Sequence, residues 1–298
     1  MSRFWKILLW ITGVLASIGI LLGMIGAALG GNEQIRQFWM NRNEHIVLTN
    51  PGSLTVRPEG AENMELAAAD EVEDIVMEIG GCDITIEETD DAFYGIRTDD
   101  NTLGYERNGG VLKICARKEH DKKKSSMTLY IPKESVINSV AIEIGGGMLK
   151  AENLRAEDSV SIEAGAGQFV LNGVAAKELD VELGAGRAEL LSADVEDMEL
   201  SVGAGEMIYQ GTIRGSVEAE CAMGALSMKL DGRKEDFRYE ADGIGTVRVD
   251  GQELTEAYGK HEDHKENGAR DGSDHKMELT CMAGTIEITF ENGGMEHE

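Results

Sequence analysis

The chain has 298 residues, with 55 acidic against 28 basic side chains, a formal charge of −27 and a pI near 4.5. That balance excludes nucleic acid as a partner, because neutralising phosphates needs clustered Lys and Arg, and 42% hydrophobic residues exclude wholesale disorder. Aromatic residues make up only 5%, so the core must come from Ile, Val, Leu, Ala and Met, while 37 glycines against 3 prolines indicate frequent, regular turning.

Residues 1–6 form a short basic start carrying Arg3 and Lys6. Residues 7–31 (ILLWITGVLASIGILLGMIGAALGG) carry no charge. A helix of that length spans roughly 37 Å, enough to cross a hydrocarbon layer of roughly 30 Å with some tilt. Trp5 and Trp10 near one end suit the membrane interface, and the preceding positive charges place the N-terminus in the cytoplasm. The expectation is a single-pass signal-anchor in the cell membrane with the rest of the chain extracytoplasmic. A cleaved secretory signal, cut near Ala27, Ala28 or Gly30, is the competing reading. Residues 32–70 read as a juxtamembrane linker, in which 32–50 either lies on the membrane through Ile35, Phe38 and Trp39 or is plain connection.

From residue 71 to 292 the chain repeats itself. The pattern apolar-x-apolar-Glu-apolar-Gly-x-Gly recurs as MEIGGC (77–82), IEIGGG (142–147), IEAGAG (162–167), VELGAG (181–186), LSVGAG (200–205) and AECAMG (219–224). Looser copies are YEADGIG (239–245) and LTCMAG (279–284). The closing glycines Gly147, Gly167, Gly186, Gly205 and Gly224 fall 20, 19, 19 and 19 residues apart. Before each glycine the chain alternates apolar and polar, as in Val160-Ser161-Ile162-Glu163-Ala164, and a second short alternating run follows it. Each period thus holds two short strands and two turns, and such units bury their inner faces only by stacking. The fold class expected is all-β: a single-domain β-solenoid, or stacked β-repeat, with a period of 19–20 residues, preceded by the transmembrane helix. A propeller blade needs about twice that period.

Between the first and second copies, strand-like runs at 92–98, 111–116 and 127–131 read as hairpins capping the N-terminal end, with Asn108-Gly109-Gly110 as one turn. Gly284 lies 39 residues beyond Gly245, two periods, so a polar insertion at 250–276 takes up the second and the copies stack in chain order. Residues 293–298 are a tail.

A transmembrane segment, a first copy over 72–86, hairpins, the strand end Leu129-Tyr130-Ile131-Pro132 and the ladder of copies over 139–288 together resemble the bacterial toast-rack, or adhesin-type, family of β-strand-repeat cell-envelope proteins. The resemblance covers roughly residues 70 to 292 and rests on architectural motifs. It implies an envelope location and supplies no catalytic residues.

A column stands four positions before the end of each copy: Glu78, Glu143, Glu163, Glu182, Ser201, Glu220, Glu240 (five before) and Thr280. With coils about 4.8 Å apart, in-register carboxylates repel by about 1 kcal/mol per pair even in water. Glu143, Glu163 and Glu182 are therefore the candidate ladder for a divalent cation such as Ca²⁺ or for a basic partner; the alternative is a salt-screened, solvated face. Asp180, Glu199 and Glu218 add charge two residues earlier in their coils. Arg117, Lys118, Lys122, Lys123 and Lys124 form a basic island suited to anionic lipid or wall polymer, or simply a solvated loop.

Cys221 and Cys281 share an inward repeat position but are expected two coils apart, beyond bridging distance. Cys82 and Cys115 pair only if the first hairpin folds over the first coil. His261, His264 and His275 in the insertion read as incidental. Each Gly-x-Gly leads into another strand pattern rather than a helix, so nucleotide binding is rejected. No catalytic constellation stands out, and no cofactor is expected beyond Ca²⁺. The expectation is a membrane-anchored, non-enzymatic protein with a structural or adhesive role at the envelope, meeting an envelope polymer or protein. The runner-up is an envelope-stress accessory relaying through its helix, where Gly23, Gly26, Gly30 and Gly31 offer packing surfaces. An anchored carbohydrate-active enzyme ranks third.

Overall fold

The computed structural model describes residues 55–56, 64–99, 103–116, 125–254 and 275–291. The expected membrane segment, the linker except 55–56 and 64–70, the basic island, His261 and His264 and the tail lie outside them. No helix among the described residues is long and apolar enough to cross a membrane.

Alternation dictates strand almost throughout. The strands are β1 (Thr55–Val56), β2 (Met64–Ala68), β3 (Asp74–Ile79), β4 (Cys82–Thr89), β5 (Phe93–Thr98), β6 (Leu103–Asn108), β7 (Val111–Ala116), β8 (Ser126–Pro132) and β9 (Ser139–Glu152). They continue as β10 (Ser159–Asn172), β11 (Ala175–Ile213), β12 (Val217–Cys221), β13 (Ala225–Asp231), β14 (Phe237–Gly243), β15 (Thr246–Val249), β16 (Gln252–Glu253), β17 (His275–Cys281) and β18 (Thr285–Glu291). All belong to one hydrogen-bonded sheet, and the only helical pieces described are two three-residue 3₁₀ turns. The fold is the all-β stacked repeat expected.

Each coil is two strand legs meeting at a glycine corner. β9 and β10 run straight through that corner, pairing in parallel from Ser139↔Ser159 to Glu152↔Asn172, and β10 pairs in the same way with the first half of β11. β11 spans two coils: its second half pairs with β12 and β13. At Gly186 φ is +118°, and an added Cβ would collide with the carbonyl of Gly167 in the preceding coil. Backbone is stacked on backbone there, which explains why the sequence returns to glycine at each period. Inward columns such as Ile142–Ile162–Val181–Leu200 and Leu149–Phe169–Ala188–Met207 are buried to 2% exposure or less, forming one continuous core.

Both ends of the stack depart from chain order. At one end, β3 and β4 pair in parallel with β9 on one side and with β7 and β8 on the other. The region read as capping hairpins therefore contributes a further coil. Antiparallel hairpin pairing is also present, β6 on β7 and β5 on β8. At the other end, β12 and β13 pair with β17 and β18, which in turn pair with β14 and β15. The last copy is thus inserted between two earlier ones, correcting the expectation of stacking in chain order. The reason is physical: an equal-length coil offers the same apolar face to any neighbour, so period alone does not dictate order.

A candidate functional site on the acidic face

Leg one turns alternate positions outward, as in β9, β10 and β12. In β10 these are Ser159, Ser161 and Glu163, alternating with buried Val160, Ile162 and Ala164. Parallel pairing in register then lines up Glu78 with Glu143, Glu143 with Glu163, and Glu163 with Glu182. The expected ladder is therefore brought together. Ser201, Glu220 and Thr280 continue the same column in the coils beyond.

Glu240 does not belong to it. β14 sets Glu240 opposite Glu278 and places Asp242 opposite Thr280. Glu240 joins the second column instead, with Glu218 and Glu199. The looser copy at 239–245 lacks one residue at the corner, which shifted its apparent alignment.

The electrostatics follow from the stacking. The Glu163 carboxyl is pushed up to about 7, first by partial burial and then by Glu182, Glu143 and Asp180. Its outer edge still meets solvent, so the group sits in a crowd of protein atoms without leaving water. Glu182 is raised by burial and by Asp180, Glu199 and Glu220; Glu220 by burial and by Glu218 and Glu199. The ends of the face are neutralised differently. Lys113 lies 2.8 Å from Glu78, both largely withdrawn from solvent, and Lys276 lies 2.9 Å from Glu240 while also bonding Glu278. The sequence alone does not single out these two lysines; the available signal is their place beside buried Leu112, Ile114 and Met277 in β7 and β17.

Leg two carries a different surface. Arg187 bonds Glu189 in its own coil and Glu206 in the next, Lys150 meets Glu152, and Lys229 meets Glu291. Basic side chains are interspersed with acids on this face, whereas the outward charges of leg one in β9 and β10 are acidic.

The ladder carboxylates stand along a line, not around a point. Among the described residues, no group of three or more His, Cys, Asp or Glu side chains is placed to hold a metal ion. What the line can do chemically is attract diffuse positive charge, whether divalent ions in solution or a basic surface.

All four cysteines are buried. Cys221 and Cys281 are in-register partners on adjacent strands, correcting the expected two-coil separation. Cys82 lies opposite Gly147 and Cys115 opposite Glu78, so register does not pair them. His275 opens β17 rather than lying in the insertion, and packs against the Phe237 ring, centroids 5.9 Å apart.

A family model described as Toastrack DUF4097 matches residues 72–249, more than half of the chain. The chain belongs to this toast-rack family. The match begins just before β3 and ends with β15. No curated protein matches it. Similar solved structures include a candidate adhesin from Bacteroides fragilis (14% identity, 81% of this chain and 100% of that one, TM-score 0.41). A candidate cell adhesion protein from Clostridium sporogenes shows 12% identity over 77% of this chain and 98% of that one, TM-score 0.33. A candidate lipid-binding protein from Parabacteroides distasonis shows 16% identity over 81% and 98%, TM-score 0.32.

Proposed function

We propose that this toast-rack protein is a membrane-anchored, non-enzymatic component of the bacterial cell envelope with a structural or adhesive role. In this reading residues 7–31 anchor it, and the repeat domain displays its acidic face outside the cytoplasm to a basic envelope protein or polymer. The observation that carries the reading is the sorting of charge. One face of the stack holds carboxylates in register (Glu143, Glu163, Glu182), whereas the other intersperses basic side chains such as Lys150, Arg187 and Lys229 among its acids. Such a face is costly in self-repulsion, and a cationic partner or divalent ions such as Ca²⁺ along the ladder relieve that cost. A repetitive rigid surface serves contact better than turnover.

The test uses intact cells carrying the full-length chain. Externally added protease is expected to reach the repeat domain. Replacing Glu143, Glu163 and Glu182 together by Gln is expected to reduce attachment of those cells to isolated envelope material, without loss of folded protein. Replacing residues 7–31 by an unrelated membrane anchor is expected to leave attachment intact. Failure of protease to reach the domain, or unchanged attachment in the triple variant, overturns the proposal.

A further inference from the structure

The out-of-order insertion of the last copy has a chemical consequence that does not depend on the proposed function. Cys221 ends β12 and Cys281 ends β17, and the two strands pair in parallel with these residues directly opposite. Paired strands lie about 4.8 Å apart, inside the range of about 4.4–6.8 Å between Cα atoms that a disulfide spans. Both side chains point inward and are 1% and 0% exposed. Burial raises the Cys221 thiol first, and the neighbouring Cys281 thiol raises it further, while the backbone of Gly224 and Thr285 lowers it.

The sulfur atoms lie against the glycine corner of the adjacent coil, beside the stacked backbone. An added Cβ on Gly284 would lie 2.7 Å from Cys221 Sγ, and one on Gly245 would collide with Cys281 Sγ. Each sulfur thus fills space that a side chain in the adjacent coil would otherwise occupy. Cys82 and Cys115 stand in register with Gly147 and Glu78 on their neighbouring strands, not with each other.

We propose that Cys221 and Cys281 are a covalent modification site: a disulfide that staples the last coil in sequence to the coil of β12 and β13. The bond closes the chain segment holding β14, β15 and the polar insertion, and so fixes the non-sequential order of the stack. The reaction is thiol–disulfide exchange with a small-molecule disulfide such as oxidised glutathione. One cysteine thiolate attacks a sulfur of the oxidant, forming a mixed disulfide and releasing one thiol. The second cysteine thiolate attacks the mixed disulfide, forming the Cys221–Cys281 bond and releasing the other. Two protons and two electrons leave the protein, and the oxidant is reduced to two thiols.

Burial pushes the Cys221 thiol up and bars the oxidant, so the exchange belongs to the stage before β17 docks. In-register Cβ bonds run side by side rather than converging, so closure needs rotation about both side chains and gives a readily reduced bond.

The test refolds the full-length chain in detergent, once in a glutathione redox buffer and once in excess dithiothreitol, then alkylates free thiols in denaturant and maps the unreduced peptides by mass. After oxidative refolding, the peptides holding Cys221 and Cys281 are expected joined, with Cys82 and Cys115 alkylated. The oxidised form is expected to melt about 5 °C higher than the reduced one, a difference absent in Cys281→Ser. Four alkylated cysteines after oxidative refolding, or a bridge between other cysteines, overturns the proposal. The wild-type peptide map decides even if the variant fails to fold.

Discussion

Glu163 shows what exact repetition does to a single side chain. Its neighbours along the stack are Glu143 and Glu182, with Asp180 diagonal to it, and all disfavour its charge. Its folded-state value of about 7 lies above the ordinary 4.5. Between those two values the native chain binds more protons than the unfolded one, so stability falls as pH rises through the window. Glutamine keeps the shape and removes the charge. Glu163→Gln is therefore expected to raise the melting temperature by about 2 °C near pH 8 and to leave it unchanged near pH 3.5, below the unfolded value. Melts across that pH range at constant ionic strength check this, and an equal shift at both ends would remove the ladder as its cause. Gly186 makes the opposite point, since its constraint is steric. With φ at +118° and the Gly167 carbonyl in the way, Gly186→Ala is expected to cost about 3 kcal/mol in urea unfolding. Ala166→Ser, at an exposed corner, is expected to stay within about 0.5 kcal/mol.

At the scale of elements, protection is expected to follow position in the stack rather than position in the chain. β17 and β18 are hydrogen-bonded on both sides, between β12–β13 and β14–β15. Met277 and Leu279 are fully buried, whereas their register partners Tyr239 and Ala241 in β14 are only half-buried. Hydrogen exchange followed by mass spectrometry is expected to find 275–291 slower than 237–249, although the former lies nearer the C-terminus. The reverse order would mean that the coils stack sequentially after all. This is also where the limits of legibility lie. The glycine column and the alternation around Glu163 announced coils, inward faces and the in-register ladder, because each is a local consequence of spacing. The neighbour relations of β7, β14 and β17 were hidden, because interchangeable apolar faces carry no address. Hence spacing marks Cys221 and Cys281 as equivalent positions but not as neighbours, places Glu240 in the wrong column, and gives no sign that Lys113 and Lys276 close the acidic face.

Across the whole molecule the acidic excess is not spread evenly, and this decides how salt acts on it. Coils about 4.8 Å apart put neighbouring ladder carboxylates well within a Debye length of about 8 Å at physiological ionic strength. Added monovalent salt therefore weakens repulsion between coils several steps apart before it reaches adjacent ones. Ion pairs on the other face, such as Arg187 with Glu189 and Glu206, lose attraction over the same range, but they are exposed and contribute little individually. The net expectation is a melting temperature that rises with sodium chloride. Calcium separates general screening from binding at the ladder. A divalent ion drawn to Glu143, Glu163 and Glu182 is expected to raise the midpoint beyond sodium chloride of equal ionic strength, and the excess is expected to vanish when all three are replaced by Gln. Coincident calcium and sodium curves for the unsubstituted chain would leave the face to solvent and salt alone, and with it the idea that divalent ions relieve the repulsion along the stack.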